Sequence, residues 1–252
     1  MGIYVINWRR ISRKLRALAV FVAFILLFTV IFYSFFDFIK GQGEAAAVNA
    51  EEVSPIIIID PGHGGVDTGA TGVSGVYEKD LNLEIAMTLG ELLTEHGFTV
   101  IYTRTTDRML YREEENIKGM RKLYDLKNRC AVAEGYEDAI FVSIHMNSFG
   151  ASKYSGLQVY YSNNDENSRA LAEKIQSSVR STVQTENNRQ VKNGKDLYIL
   201  DNCPALSVLV ECGFLSNPEE CDKLSEKEYQ KELSFAIVCG IIDYRETITA
   251  EK

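Results

Sequence analysis

The sequence predicts a single three-layer α/β domain with a twisted, largely parallel sheet flanked by helices, preceded by an N-terminal transmembrane helix. Two observations predict the domain, namely the strand-like apolar runs and the helix-like segments between them. Apolar runs that are typical of buried strands alternate with segments whose apolar residues recur at helical spacing. Such an order produces a mainly parallel sheet that helices cover on both faces. A third observation, a long uncharged segment near the N-terminus, predicts the transmembrane helix.

The N-terminal segment has the length and composition of a membrane-spanning helix. Residues 17–36 are twenty residues without a charge, rich in Val, Ile, Leu and Phe. The basic cluster before them is expected to stay in the cytoplasm, which places the rest of the chain across the membrane. The predicted organisation is a basic cytoplasmic N-terminus at 1–16, a transmembrane anchor or uncleaved signal at 17–39, a linker at 40–54 and one globular domain at 55–245.

Cleavage of this segment is the alternative to anchoring. Small residues near Ala47 and Ala50 stand at the spacing of a signal-peptide cleavage site, and cleavage there would release a secreted domain. Without cleavage, the domain stays anchored to the cell membrane. Both alternatives place it outside the cytoplasm.

The charge distribution argues against a nucleic-acid partner. The whole chain carries −8 and residues 1–40 carry +5, so residues 41–252 carry −13. Binding to a phosphate backbone requires a basic surface, which is not expected of a domain with this net negative charge. The five cysteines include no C-x-x-C pair and are too scattered for a disulfide framework, so we interpret them as mostly small buried residues.

The first strand of the domain is the clearest element in the sequence. Four consecutive isoleucines at 56–59 form an apolar, β-branched run, which is typical of a strand buried on both faces. The run ends at Asp60-Pro61-Gly62, and His63 follows among three glycines. Glycines allow the tight turn that would expose an imidazole at the carboxyl end of the strand, where open α/β sheets bind ligands.

The remaining elements follow in alternation. Helices are predicted at 78–95, 121–134, 168–183 and 226–243. Strands are predicted at 98–102, 139–144, 156–161, 197–200 and 207–210. A polar connection is expected at 103–115 and a turn at Asn217-Pro218.

Three polar residues stand at the carboxyl ends of apolar strands or just past them. They are His63, His145 and Glu211, and Glu78 follows fifteen residues after His63 at a helix start. Two histidines and a carboxylate are a common ligand set for catalytic zinc, and a further carboxylate is then needed as general base. Because the three strand ends are expected to be adjacent, the sequence predicts a metal site there.

Each residue also has a simpler interpretation. His63 could stand in an ordinary turn, Glu78 could favour a helix N-terminus, and Glu211 could be a solvated strand end. A phosphate-binding loop fails because residues 62–67 lack the third glycine of G-x-G-x-x-G and no Gly-Lys-Ser/Thr is present. The ligand set also fits non-haem iron oxygenases. The additional carboxylate, the exported location and the absence of an evident cosubstrate pocket in the sequence favour zinc hydrolysis.

The domain resembles the zinc-dependent N-acetylmuramoyl-L-alanine amidases, which trim bacterial peptidoglycan. The resemblance spans residues 55–244 and rests on four ordered motifs: IDPGHGG at 59–65, EKDLNL at 78–83, FVSIHMNS at 141–148 and VECGFLSNP at 210–218. Asp201 and Leu206 depart from it, where family members often have a basic residue and a proline.

The resemblance implies an activity and a role for each site residue. His63, Glu78 and His145 would bind zinc, and Glu211 would be the catalytic carboxylate. The reaction would be hydrolysis of the amide bond between the lactyl group of N-acetylmuramic acid and the L-alanine of the stem peptide. Asp60 is expected to orient an imidazole because of its proximity. Residues that bind the substrate are not predicted.

A bare catalytic domain behind an N-terminal anchor is most similar to the spore-cortex, germination-specific amidases. That similarity implies a role in muramic-δ-lactam formation and germination, and a location such as the intermembrane space of the forespore. The expected partners are peptidoglycan as substrate, the membrane through the N-terminal helix, and an accessory sporulation protein as a candidate. Two alternatives remain open, namely a non-catalytic binding domain of the same fold and another zinc hydrolase of peptidoglycan, either a deacetylase or a carboxypeptidase.

Overall fold

The structure is a computed structural model that describes residues 15, 18, 20–34, 54–117 and 119–250. Residues 20–34 are helical and their side chains are exposed. Within the described ranges, no helix combines the length and the apolar character that a membrane crossing requires. The rest of the predicted anchor and nearly all of the predicted linker lie outside the described residues.

Six strands form one mixed sheet in the order β2-β1-β3-β6-β4-β5. The strands are β1 (Ile56–Pro61), β2 (Thr99–Tyr102), β3 (Ile140–Asn147), β4 (Gln158–Tyr161), β5 (Lys192–Asn193) and β6 (Leu206–Phe214). The four strands β2, β1, β3 and β6 are parallel to one another. Strand β4 runs antiparallel to β6, and β5 is parallel to β4. The sheet is mixed: four of its five strand pairings are parallel, as the prediction of a largely parallel sheet requires, and the β4–β6 pairing is antiparallel.

Helices cover both faces of the sheet, as predicted. They are α1 (Glu78–Glu95), α2 (Arg121–Ala131), α3 (Ser168–Thr182), α4 (Tyr198–Asn202), α5 (Pro218–Leu224) and α6 (Lys227–Ala250). Side chains of α1, α3, α5 and α6 pack with Ile57 and Ile59 in the larger core cluster. On the opposite face, Ile58 packs with side chains of α2 and α4. The isoleucine strand is thus buried on both faces because its alternating residues enter both clusters.

The helix α4 begins at Tyr198, so the strand predicted at 197–200 is wrong. Helix α4 buries Ile199 and Leu200 against the second face of the sheet. The backbone carbonyl of Leu200 accepts a hydrogen bond from Ser162 Oγ at 2.6 Å, outside any strand ladder. A short apolar run does not distinguish a buried strand from one turn of a buried helix, so its periodicity was insufficient.

The region around Asn217-Pro218 begins a helix, α5, where the sequence predicts only a turn. Asn217 accepts a hydrogen bond from the backbone N–H of Glu220 at 3.2 Å, and Pro218 takes the first helical position. This is a favourable N-terminus because the proline has no N–H to leave unpaired. The two-residue strand β5 was also missed, since both of its residues are exposed and polar.

Candidate metal centre

The candidate site lies where three neighbouring parallel strands end. Strands β1, β3 and β6 are adjacent in the sheet, as expected. His145 and Glu211 are direct register partners, so their side chains extend from the same face. Both residues lie inside their strands, near the carboxyl ends. The strands are longer than predicted, since β3 continues to Asn147 and β6 to Phe214.

The loop after β1 brings His63 to this end of the sheet. His63 has a left-handed backbone conformation with φ of 61°, which is uncommon for a residue other than glycine. The turn is stabilised by mutual backbone hydrogen bonds between Gly64 and Asp67, both at 3.0 Å. This tight turn folds the loop back so that the imidazole faces the start of α1.

Three potential metal ligands converge at this point. His63, Glu78 and His145 each offer one ligand atom, and these atoms all lie within 4.8 Å of one another. Glu78 Oε1 is 3.1 Å from His63 Nε2 and 2.9 Å from His145 Nδ1. The two imidazole rings meet edge to face, with centroids 4.9 Å apart. Two imidazole nitrogens and one carboxylate oxygen match the donor chemistry of a catalytic zinc site.

The Glu78 carboxylate is fixed by several hydrogen bonds. Its Oε2 accepts from the backbone N–H of Ala70 at 2.8 Å, and its Oε1 accepts from the backbone N–H of Met146 at 3.2 Å. Asn82, one helical turn later, donates to Glu78 Oε1 at 3.4 Å and to the Gly62 carbonyl at 3.1 Å. A ligand that is oriented in advance loses little conformational freedom when it binds a metal ion.

Two glycines leave room for the ligands. A Cβ atom on Gly69 would stand 2.5 Å from Glu78 Oε2, and one on Gly62 would collide with the His145 ring. Gly69 also has a φ of 64°. Only glycine lets the backbone approach the side chains of Glu78 and His145 this closely. The loop is therefore shaped to hold these residues together, as a metal site built from them requires.

Asp67 orients His63, whereas the sequence predicted that Asp60 would orient an imidazole. His63 Nδ1 lies 2.9 Å from Asp67 Oδ2, opposite the nitrogen that faces Glu78. Burial lowers the pKa of His63, but the hydrogen bonds with Asp67 and Glu78 outweigh it and raise the pKa to about 9. Asp67 stands four residues after His63 and Asp60 three residues before it, so sequence spacing alone did not distinguish the two acids.

Asp60 belongs instead to a buried ion pair beneath the loop. It accepts hydrogen bonds from Arg129 at 2.7 Å, Thr103 at 2.6 Å and Ser143 at 2.7 Å. Burial raises the pKa of Asp60, but the charge of Arg129 and these hydrogen bonds lower it further, so the net shift is downward. The prediction for Asp60 is therefore wrong, because its side chain points into the sheet rather than toward either histidine.

Two buried arginines hold the backbone of the histidine loop. Arg129 donates to the carbonyls of Pro61 and His63, and Arg104 donates to those of Pro61 and Gly62. Both arginine side chains are buried. Carbonyls that the turn leaves without backbone partners are thus satisfied by side chains. Neither arginine was predicted, since each lies far from His63 in the sequence.

We expect Arg129→Met to destabilise the protein by about 3–5 kcal/mol, because it leaves the buried Asp60 carboxylate without its countercharge. Urea unfolding at pH 7 measures this loss. The loss should shrink as the pH falls, because Asp60 in the variant has lost the Arg129 charge that lowers its pKa and takes up a proton more readily than in the unmodified protein. Arg121→Met, at the exposed start of the same helix, is the matched control and should change stability by less than about 0.5 kcal/mol. Equal effects at the two positions would contradict the importance of the ion pair.

Glu211 differs from the three convergent residues in its environment. Its Oε2 is buried and has no hydrogen-bond partner among the described residues. Burial raises the pKa of Glu211 to about 7, with smaller opposing contributions from the two histidines and a supporting one from Glu78. A carboxyl group with a pKa near neutral can both accept and donate a proton at physiological pH. The geometry thus presents a metal-binding trio with a proton-transfer group beside it.

The comparisons with known proteins agree with this arrangement. The family model described as N-acetylmuramoyl-L-alanine amidase matches residues 57–243. The chain is 32% identical to the germination-specific N-acetylmuramoyl-L-alanine amidase of Bacillus subtilis over 92% of this chain and 95% of that protein.

Solved structures with the same fold lead to the same family. The CwlD amidase of Clostridioides difficile, solved in complex with the GerS lipoprotein, is 41% identical, with a TM-score of 0.73 over 77% of this chain and 100% of that one. The amidase AmiC2 of Nostoc punctiforme is 32% identical, with a TM-score of 0.66 over 76% and 97% of the two chains. The chain therefore belongs to the N-acetylmuramoyl-L-alanine amidase family and is an enzyme of that class.

Proposed function

We propose that this amidase is zinc-dependent, with His63, Glu78 and His145 as the zinc ligands and Glu211 as the catalytic acid and base. Its reaction is hydrolysis of the amide bond between the lactyl group of N-acetylmuramic acid and L-alanine. The observation that carries the proposal is the convergence of three ligand atoms within 4.8 Å beside a carboxyl group that is buried and unpartnered within the described residues.

Zinc, when bound, supplies Lewis acidity that activates water at neutral pH and polarises the substrate carbonyl. The protein supplies the proton transfer. Glu211 Oε2 accepts a proton from the attacking water and later delivers it to the departing amine of L-alanine. Burial raises the pKa of the Glu211 carboxyl, which favours uptake of the proton from water. Asp67 keeps the imidazole of His63 in place throughout.

Product analysis on purified peptidoglycan tests the proposed reaction. The zinc-loaded protein should release stem peptides that begin with a free L-alanine amine. Released acetate would instead indicate a deacetylase, and released C-terminal residues a carboxypeptidase. Tight binding without any product would favour the non-catalytic domain. Removal of zinc with a chelator should abolish the release, and stoichiometric zinc should restore it.

Zinc affinity should rise with pH up to about pH 9. His63 must lose its proton to bind a metal, and the hydrogen bonds with Asp67 and Glu78 hold that proton with a pKa of about 9. Because one proton is released per zinc at His63, we expect the dissociation constant to fall about tenfold per pH unit below that value. Competition with a chromogenic chelator between pH 6 and 9 measures this slope.

Asp67→Asn provides the matched control for the pH dependence. The substitution keeps the shape of the side chain but removes the charge that favours protonated His63. We expect the pH dependence of zinc binding to shift to lower pH in this variant. A pH dependence identical to that of the unmodified protein would show that Asp67 does not control the His63 proton.

We assign the enzyme to the maturation of the spore cortex and to germination. The support is the name of the Bacillus subtilis relative, which aligns over nearly the full length of both chains. An accessory lipoprotein is a further proposed partner, because the Clostridioides difficile amidase was solved in complex with one. Deletion in a spore-former should leave cortex without muramic-δ-lactam, and vegetative growth should be unaffected.

The proposed location is outside the cytoplasm, with residues 17–39 as a membrane anchor. The support is the uncharged run of twenty residues at 17–36, preceded by a basic cluster. Carbonate extraction of membranes tests the assignment, because an anchored protein stays in the pellet and a protein cleaved near Ala47 or Ala50 does not.

A further inference from the structure

A groove of about 710 Å³ lies at the start of β4. Its walls come from the segment before β4, the segment after α3, and helix α5. None of the four proposed catalytic and metal-binding residues lines it. The groove is therefore a second concave surface, and Arg189 is the residue that connects it to the catalytic site.

Arg189 is fixed in position by three contacts. Its Nε donates to the carbonyl of Ser155 at 2.8 Å, and its Nη1 donates to Gln158 Oε1 at 2.9 Å. Its guanidinium group stacks on the Phe214 ring, with Cζ 4.4 Å from the ring centroid. A half-buried arginine held in this way has lost most of its side-chain freedom before any ligand arrives.

Two of the residues that contact Arg189 are close neighbours of Glu211 in the sheet. Gln158 is the register partner of Glu211 across the β4–β6 pair, and Phe214 lies three residues after Glu211 in β6. Gln158 and Glu211 extend from the same face of the sheet, because they are paired residues of neighbouring strands. Arg189 thus lies one side chain away from the proton-transfer group, at the boundary between the catalytic site and the groove.

The charge of Arg189 is not neutralised by an ion pair. Within the described part of the chain, no salt bridge to Arg189 forms, and its Nη2 has no hydrogen-bond partner. The nearby Glu220 is engaged elsewhere, since its two oxygens accept from the backbone N–H groups of Gly156 and Phe214, both at 2.7 Å. A fixed guanidinium with an unused donor is suited to binding a carboxylate.

We propose that Arg189 is a specificity-determining residue that binds a carboxylate of the stem peptide, and that the groove accepts this peptide beyond the scissile amide. The proposal rests on the proposed amidase reaction. The choice of the stem peptide as the ligand follows from the chemistry of the substrate. The muramic acid carboxyl group is consumed in the amide bond, so the glycan strand offers no carboxylate, whereas the stem peptide carries several. An unpaired guanidinium beside the catalytic site therefore selects the peptide.

Two matched muramoyl tetrapeptides test the proposal, one with every stem carboxylate free and one with every stem carboxylate amidated. The unmodified enzyme should prefer the free form by about ten- to a hundredfold in kcat/KM, as expected for a charge-assisted contact. Arg189→Met should raise KM for the free form by about the same factor, change kcat less than threefold, and so remove most of the preference for the free over the amidated form.

Two further variants separate recognition from structure. Arg189→Lys keeps the charge without the planar fork and should retain part of the preference. Arg169→Met is the matched control, because Arg169 is exposed and pairs with Glu173 on the outside of α3. It should keep the full preference. Zinc content should match the unmodified protein in all three variants. Thermal stability should be unchanged in Arg169→Met and lower in Arg189→Met, because the buried Gln158 Oε1 loses its donor there. The amidated tetrapeptide is therefore the internal reference for each variant.

A binding experiment distinguishes failure of this proposal from failure of the proposed function. Calorimetry should detect binding of the free stem peptide to the unmodified enzyme and its loss in Arg189→Met. If the peptide binds through Arg189 but no amide is cleaved, the amidase proposal fails and the assignment of Arg189 stands. If both tetrapeptides are slowed equally by Arg189→Met, or neither is affected, Arg189 only supports β4 and the assignment is overturned.

Discussion

Glu211→Gln should bind zinc with unchanged stoichiometry while it cleaves peptidoglycan about a hundred- to ten-thousand-fold more slowly, the range typical for loss of a general base. The reason is geometric. Three ligand atoms converge without Glu211, whose buried Oε2 has no hydrogen-bond partner in the described residues. Glutamine keeps the shape of the side chain but can neither accept nor deliver the proton. Metal analysis and turnover on the same preparation check both halves of the prediction.

The same variant should differ in stability once zinc is removed with a chelator. In the folded protein, burial raises the pKa of Glu211 from the ordinary value of 4.5 to about 7. Between these values the unfolded chain gives up its proton and the folded chain retains it. The folded state of the unmodified protein therefore loses stability relative to Glu211→Gln as the pH rises through this window, by on the order of 3 kcal/mol.

Three outcomes would contradict this account of Glu211. Loss of zinc in Glu211→Gln would make Glu211 a ligand. Wild-type rates would leave the reaction without the base assigned to it and would favour another proton acceptor. A stability difference that does not change between pH 4.5 and 7 would show that the folded protein does not hold a proton on Glu211. Glu173→Gln, on an exposed helix surface, is a control that should change none of these measurements.

Local sequence was sufficient to predict those elements whose structure depends mainly on their own residues. Helix α1 has the predicted bounds, because its apolar residues recur at helical spacing and Gly97 follows its end. The convergence of His63, His145 and Glu211 followed from topology, since adjacent parallel strands bring their carboxyl ends to one edge of the sheet.

The sequence was insufficient where a residue depends on distant partners. Asp60 and Asp67 are both acids near His63, and nothing local indicates that one faces Arg129 and the other faces the imidazole. Arg129 lies 66 residues from the carbonyl of His63 that it supports. The apolar run at 197–200 became a helix because of the surface on which it packs. Tertiary contacts of this kind determine the outcome and leave no periodic signal in the sequence.

Substitution of the three proposed zinc ligands should also have a large effect on zinc binding and cleavage. Alanine at His63, Glu78 or His145 should each lower bound zinc far below one equivalent and abolish cleavage, since catalytic zinc sites use three protein ligands. Glu78→Ala should be the most severe. Glu78 Oε1 contacts both imidazoles, and the Glu78 carboxylate also accepts hydrogen bonds from the backbone of Ala70 and Met146. Its loss therefore loosens the loop, α1 and β3 together.

Glu84→Ala is the matched control for the ligand series. Glu84 lies on the same helix, 42% of its side chain is exposed, and it pairs with Lys227 rather than with a histidine. We expect normal zinc content and activity from this variant, and a stability change within about 1 kcal/mol. If His145→Ala kept a full equivalent of zinc and its activity, the trio would not be the metal site. If only Glu78→Ala lost zinc, the carboxylate would act through the fold of the loop, and the two histidines would require another explanation for their 4.9 Å ring contact.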